Sequence, residues 1–237
     1  MNMGVPSAGS GRSRAVLDRE IQSIQDDMLR MANMVDEAVE SSVRALDTRD
    51  EVLAGQIASD DANVNALRFK IEEACLALIA TQQPAAGDLR AIVAAMNIVS
   101  DLERMADHAA GIARSVSGVA TPLSLPAPPD FPRMAEVTRG MLRRAMRAYV
   151  ERDAEEARKV AAEDDRIDEL YLQVFGELLS LMIEDRDKTP QALKLLFAAH
   201  NLERIADRIT NIAERVIFMA SGEMEELNPE PGDTRLL

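Results

Sequence analysis

Residues Leu102–Ala113 read LERMADHAAGIA, and Leu202–Ala213 read LERIADRITNIA, nearly the same phrase 100 positions later. On a wheel of 3.6 residues per turn each copy separates into two faces. Leu102, Met105, Ala109, Ile112 and Val116 form an apolar stripe, and Leu202, Ile205, Ile209, Ile212 and Val216 repeat it in more hydrophobic form. That period is helical, so each phrase is predicted to be an amphipathic helix with its stripe in a core. A repeated helix in turn predicts a repeated domain.

The repetition extends outward. ALDTRDEVLAGQIASDDANVNAL (residues 45–67) aligns with AYVERDAEEARKVAAEDDRIDEL (148–170) at an offset of 103, matching Arg49-Asp50 with Arg152-Asp153 and Asp61 with Asp164. The difference of three residues between the two offsets falls in TQQPAAGD (81–88) and EDRDKTP (184–190), turn regions that tolerate length changes. Between the halves lies SGVATPLSLPAPPDFP (117–132), which holds half of the ten prolines. Proline lacks an amide donor and fixes φ, so this stretch is predicted to be an extended linker. Each half has room for three long helices, roughly 15–48, 50–80 and 88–117, then 131–151, 153–184 and 190–220. Asp50 and Asp153 are placed to cap the second helix of each half, and Thr189-Pro190 to open the last. Helices of about 45 Å joined by short loops must run antiparallel to bury their stripes. The expected fold is all-α, two tandem three-helix bundles related by an internal repeat. The predicted organisation is a flexible tail (1–14), a first bundle (15–117), a Pro-rich linker (118–131), a second bundle (132–220) and an acidic C-terminal tail (221–237).

Composition narrows the function. With 47% hydrophobic but only 3% aromatic residues, the core must be built from aliphatic side chains and 13 methionines. A formal charge of −14 argues against binding nucleic acid through its phosphates. The single cysteine, Cys75, excludes an internal disulfide, reads as a core thiol on an apolar helix, and suggests a reducing compartment. No apolar run is long enough to span a bilayer, so a cytoplasmic location is expected.

Opposite the core stripe, Glu103 and Asp107 project together, and Glu203 and Asp207 do the same. In the second copy His200, Asn211 and Glu214 fall within roughly 80° of that pair. The first copy has Ser100, Gly111 and Arg114 there instead. Like charges four apart weaken a helix, so something should offset them. Either Arg104 and Arg204 pair with the aspartates three residues on, or a cation binds the carboxylates. A second pair, Asp164 and Asp168, flanks the neighbouring core stripe and can converge on the first; its counterpart is Asp61 with Asn65. His108 and His200 read as surface polar groups. No phosphate-cradling glycine loop, His-Glu-x-x-His motif or plausible nucleophilic triad is present.

QQPAAGDLRAIVAAMNIVSDLERMADHAAGIAR (82–114) and AAHNLERIADRITNIAER (198–215) resemble the two copies of the PhoU phosphate-signalling family. The likeness runs from about residue 15 to 220. The resemblance implies multinuclear Fe or Zn clusters on the surface, held by Glu/Asp-x-x-x-Asp motifs; oxygen ligands of this kind also suit Mn or Mg. The motifs map to Glu103 with Asp107, Glu203 with Asp207 and Asp164 with Asp168, with Asn211 and Glu214 extending the second site. Asp61 with Asn65 departs from the motif, as do Gly111 and Arg114, which places the fuller site in the second half. It further implies a negative regulator of phosphate uptake and of the phosphate-starvation response. Such a protein is a non-catalytic adaptor between the ATPase subunit of the phosphate ABC transporter and a sensor histidine kinase. It is often a homodimer, and reaches the membrane only through its partners. The competing readings are a metal-dependent phosphohydrolase and a helical scaffold whose carboxylates bind no metal.

Overall fold

The structure, a computed structural model, describes residues 8–116, 123 and 125–227. Seven α-helices account for most of it: α1 (Ala8–Thr48), α2 (Glu51–Gln82), α3 (Ala86–Val116), α4 (Asp130–Glu151), α5 (Ala154–Ala161), α6 (Asp164–Glu184) and α7 (Thr189–Ser221). Helices α1, α2 and α3 pack on one another, and α4, α5, α6 and α7 form the second bundle, with α5 and α6 together taking the place of α2.

The predicted caps at the second helices are present. Asp50 accepts hydrogen bonds from the amides of Val52 (3.0 Å) and Leu53 (2.9 Å), and Asp153 accepts from Glu156 N (3.0 Å). The arginine before each cap, Arg49 and Arg152, takes a left-handed φ of 58° and 56°, so the two halves turn the corner by the same device. Cys75 is fully buried in α2, and burial, with Glu72 nearby, pushes its thiol up to about 11.

Four sequence expectations are corrected. The helix expected over 153–184 breaks at Ala162–Glu163, where Glu163 N donates to Val160 O and Arg166 N to Glu163 O in tight i→i−3 turns. Arg144 of α4 holds Glu156 on one side of the break and Glu163 on the other. Residues 8–14, expected in a flexible tail, are helical, and Arg14 grips the buried Asp88 of α3 at 2.6 and 3.1 Å. Residues 1–7 of that tail lie outside the described residues. Thr189 does not cap α7, because a 3-10 turn over Arg186–Lys188 runs straight into it, although Pro190 does occupy the first turn. Pro132, assigned to the linker, falls in the first turn of α4, where its missing N–H costs nothing. Within the linker Leu123 is buried and the Leu125 amide donates to the Gln191 side chain (2.8 Å); 117–122 and 124 lie outside the described residues. Of the acidic tail, 228–237 also lie outside them, while Glu225 pairs with Arg158 at 2.6 Å.

The two repeat helices, α3 and α7, are central and pack on each other antiparallel. Gly111 lets them approach closely: a Cβ there would lie 2.8 Å from Asn201 Oδ1. Across this contact Asp101 meets Arg208 (3.6 Å) and Asn211 (3.4 Å), while Asn201 meets His108 (2.9 Å). Asn201 stands 100 positions after Asp101, and Arg208 stands 100 after His108. Each repeat therefore touches the other with the same positions, which is the signature of a two-fold relation between the halves. Helix α4 completes the union by gripping α1: Arg139 bonds Asp36 (2.8 and 2.9 Å) and Glu40 (2.9 Å), and the buried Tyr149 hydroxyl donates to Met28 Sδ (3.3 Å).

Candidate metal centre

In the second half four carboxylates influence one another across the α6–α7 contact. Asp164 opens α6 just after the break at Ala162–Glu163 and is buried. Asp168 follows one turn on; Glu203 and Asp207 stand on α7. Their mutual influence is recorded in their protonation. Burial, then repulsion from Asp207, Asp168 and Glu203, pushes Asp164 up to about 7. Burial first and then Asp207 push Glu203 up to about 7, with Arg204 opposing. Asp168 is raised by burial and by Asp207.

One oxygen of Glu203, Oε2, is buried without a hydrogen bond; His200 Nδ1 at 3.4 Å and Arg204 Nε at 3.5 Å are too far or too poorly aligned to provide one. Arg204 Nη1 holds Asp207 at 2.9 Å, the neutralising pair anticipated from sequence. Arg204 is half-exposed, so that pair is weak and readily exchanged. His200 is lowered by burial and by Arg204 and His108, and its ring lies 6.2 Å from that of Tyr171. Among the described residues no three His, Cys, Asp or Glu side chains are gathered as a ready ligand set.

The first half is built differently. Asp61 of α2 also has a buried oxygen without a hydrogen bond, Oδ1, while its Oδ2 accepts weakly from Asn65 (3.3 Å). Burial and Asp107 raise it, and Arg114 opposes. Glu103, however, already has a cation: Arg68 Nη1 lies 3.0 Å away, and the same guanidinium bonds Glu72 (3.1 Å) and covers the Phe69 ring (4.9 Å). At the offset of 103 the residue matching Arg68 is Tyr171. Thus Arg68 and Arg114 bring positive charge to the first-half carboxylates, where the second half has Tyr171 and Glu214. Arg68 escaped the sequence reading, yet aligning ALRFKIEE with ELYLQVFG exposes the exchange.

Two predicted residues are occupied elsewhere. Asn211 donates to Asp101 of α3 (3.4 Å), and Glu214 accepts from the Leu227 amide (2.9 Å) where the chain folds back after α7. The wheel put them on the arc of Glu203, and it is the α3 contact and the returning chain that claim them.

Oxygen donors from two helices, a buried carboxylate oxygen without a hydrogen bond and two carboxyls raised to about 7 stand together here, with Arg204 as the cation beside them. Protons or a hard divalent cation are the kinds of charge that such oxygen donors take.

The family model described as the PhoU domain matches residues 28–116 and again 131–216. The phosphate-specific transport system accessory protein PhoU homolog of Clostridium acetobutylicum is 34% identical over 217 residues, covering 91% of the chain and 99% of that protein. The Escherichia coli accessory protein PhoU is 31% identical over 204 residues, covering 86% and 85%. Among solved structures, the phosphate transport system regulatory protein PhoU of Streptococcus pneumoniae superposes with a TM-score of 0.82 at 31% identity, covering 89% of the chain and 100% of that structure.

Proposed function

The chain belongs to the PhoU family, and from that premise we propose that it is a non-catalytic accessory regulator of phosphate transport that carries a cation on the α6–α7 carboxylates. The observation that supports the regulatory role is likeness over nearly the full length to proteins named as accessory or regulatory components of phosphate transport. Its partners are the ATPase subunit of the phosphate transporter and a phosphate-sensing histidine kinase, and its effect on uptake and on the starvation response is negative. Among the described residues no helix is long and apolar enough to cross a membrane, so on this reading contact with the transporter is made from outside the bilayer.

Asp164, Asp168, Glu203 and Asp207 hold the ion, and a bound divalent cation would supply the charge that otherwise comes from protons. Glu203 and Asp164 then remain ionised at neutral pH, and α6 is fixed against α7. Arg204 moves from Asp207 to solvent at little cost, because the pair it leaves is exposed.

Deleting the gene tests the regulatory role. Starvation-response genes are expected to switch on in phosphate-rich medium and to be silenced again by the wild-type gene; continued silence in the deletion strain overturns it. Elemental analysis of untagged protein tests the site. Metal is expected in wild type and lost from a Glu203→Ala/Asp207→Ala variant; equal metal content in the two overturns the assignment.

A further inference from the structure

The two halves differ where the first helix of each faces the second. Between α1 and α2 lies a cleft of about 340 Å³, lined in part by Glu37, Ser41, Asp60 and Asp61, with Leu53 and Ile57 in its apolar wall. At the offset of 103 Ser41 matches Arg144, Leu53 matches Glu156, Asp60 matches Glu163 and Asp61 matches Asp164. Burial keeps step with that alignment: Val39 and Leu142, Ser42 and Ala145, Ile57 and Val160 are buried alike. Places as well as letters therefore correspond. In the second half the Arg144 guanidinium occupies the matching place, with Nε 2.6 Å from Glu156 Oε1 and Nη1 on Glu163. In the first half a short serine stands at that root, and the cleft opens beside it.

Charge sharpens the difference. The second half sets three acids, Glu156, Glu163 and Asp164, against three bases, Arg144, Lys159 and Arg166. The cleft has three acids, Glu37, Asp60 and Asp61, and no base; Gln56 and Asn63 stand where Lys159 and Arg166 do. Glu37 and Asp60 are exposed and form no ion pair among the described residues, and Asp61 Oδ1 is buried without a hydrogen bond. Of the nearby arginines, Arg44 bonds the Ser41 hydroxyl (3.3 Å), and Arg114 acts on Asp61 only through space.

We propose that the α1–α2 cleft binds an alkylguanidinium group, in the place that Arg144 fills in the second half. The lining selects this class of cation. A hard divalent ion asks for a shell of oxygens, whereas Leu53, Ile57 and Val64 make one side of this cleft apolar. A guanidinium is planar and weakly hydrated, bonds carboxylates with a fixed fork, and brings a methylene stem that apolar side chains can cover. Leu53, standing where Glu156 stands, gives that stem its contact. Neither the phosphate role nor the α6–α7 cation enters this inference, so either can fail while the cleft site stands.

The test follows amide chemical shifts of the full chain during titration with n-butylguanidine, and with n-butylurea as an uncharged analogue of similar shape. The amides of Leu53, Ile57 and Val64 are expected to move with butylguanidine and to stay in place with butylurea. Glu37→Gln/Asp60→Asn, which changes two exposed side chains and leaves the core intact, is expected to weaken binding at least about tenfold. Ser41→Arg, which supplies the guanidinium from within as Arg144 does, is expected to abolish it. A capped Gly-Gly-Arg-Gly-Gly peptide separates the sources of the group. Binding of this peptide as well assigns the cleft to an arginine of a partner protein; binding of butylguanidine alone assigns it to a small molecule. Equal shifts with butylurea, no movement of these amides at millimolar butylguanidine, or full binding by Glu37→Gln/Asp60→Asn overturns the proposal. So does movement of the same amides by Mn²⁺ that butylguanidine fails to compete away.

Discussion

Arg68 and Tyr171 occupy matching places in the two halves, and only the first brings a positive charge to the carboxylate beside it. Arg68 neutralises Glu103 at 3.0 Å; Tyr171 cannot neutralise Glu203, whose charge instead raises the Tyr171 hydroxyl after burial has done so. On the proposed cation reading, Tyr171→Arg is expected to lower metal affinity without removing a single carboxylate, measurable by calorimetric titration with Mn²⁺. Unchanged affinity would break the link between the exchange and the site. The raised carboxyls also have a consequence for stability. The unfolded chain releases these protons near 3.8 for Asp164 and 4.5 for Glu203, whereas the folded protein keeps them to about 7. Between those limits the native state binds more protons, so the contribution of these two groups to stability is full below about pH 4, falls as pH rises to about 7 and levels off above. Urea midpoints of chelator-treated protein are expected to be higher at pH 5 than at pH 8, and Asp164→Asn to flatten the slope. A wild-type midpoint that rises from pH 5 to pH 8 contradicts the assignment.

At the scale of elements, α3 and α7 meet through a contact that depends on one missing side chain. A Cβ on Gly111 would lie 2.8 Å from Asn201 Oδ1, the atom 2.9 Å from His108 Nδ1. Gly111→Leu is expected to cost about 2 kcal/mol in urea unfolding, through overpacking and loss of that bond. An unchanged midpoint would mean the helices are not held as described. These elements were largely legible from the repeat, because a 3.6-residue stripe and an aspartate cap are local signals. The break between α5 and α6 was also signalled, by Arg158-Lys159 ending one helix and Asp164-Asp165 beginning the next, which suits the dipole of each. The stripe of Ile167, Leu170 and Val174 beyond it read as one continuous helix and hid it. Asn211 and Glu214 could not be assigned from the wheel, since a wheel gives a direction and not which neighbour stands there.

The whole molecule is two bundles that share their central helices rather than two beads on a linker. Val99, Ala106 and Ala110 on α3 and Ala199, Ala206 and Thr210 on α7 are buried although they lie off the stripes drawn from sequence, because each central helix packs against the other as well as against the helices of its own bundle. Heating is expected to unfold both halves together, with equal calorimetric and van't Hoff enthalpies; two resolved transitions would refute the shared core. That union gives the unequal carboxylate sites a further meaning. Arg68 is a counter-ion written into the chain, present at one equivalent whatever the cell contains. On the proposed reading the α6–α7 site takes its counter-ion from solution, so its filling follows the free cation concentration. If that reading holds, one molecule carries a fixed standard beside a variable gauge, with the antiparallel α3–α7 contact between the two.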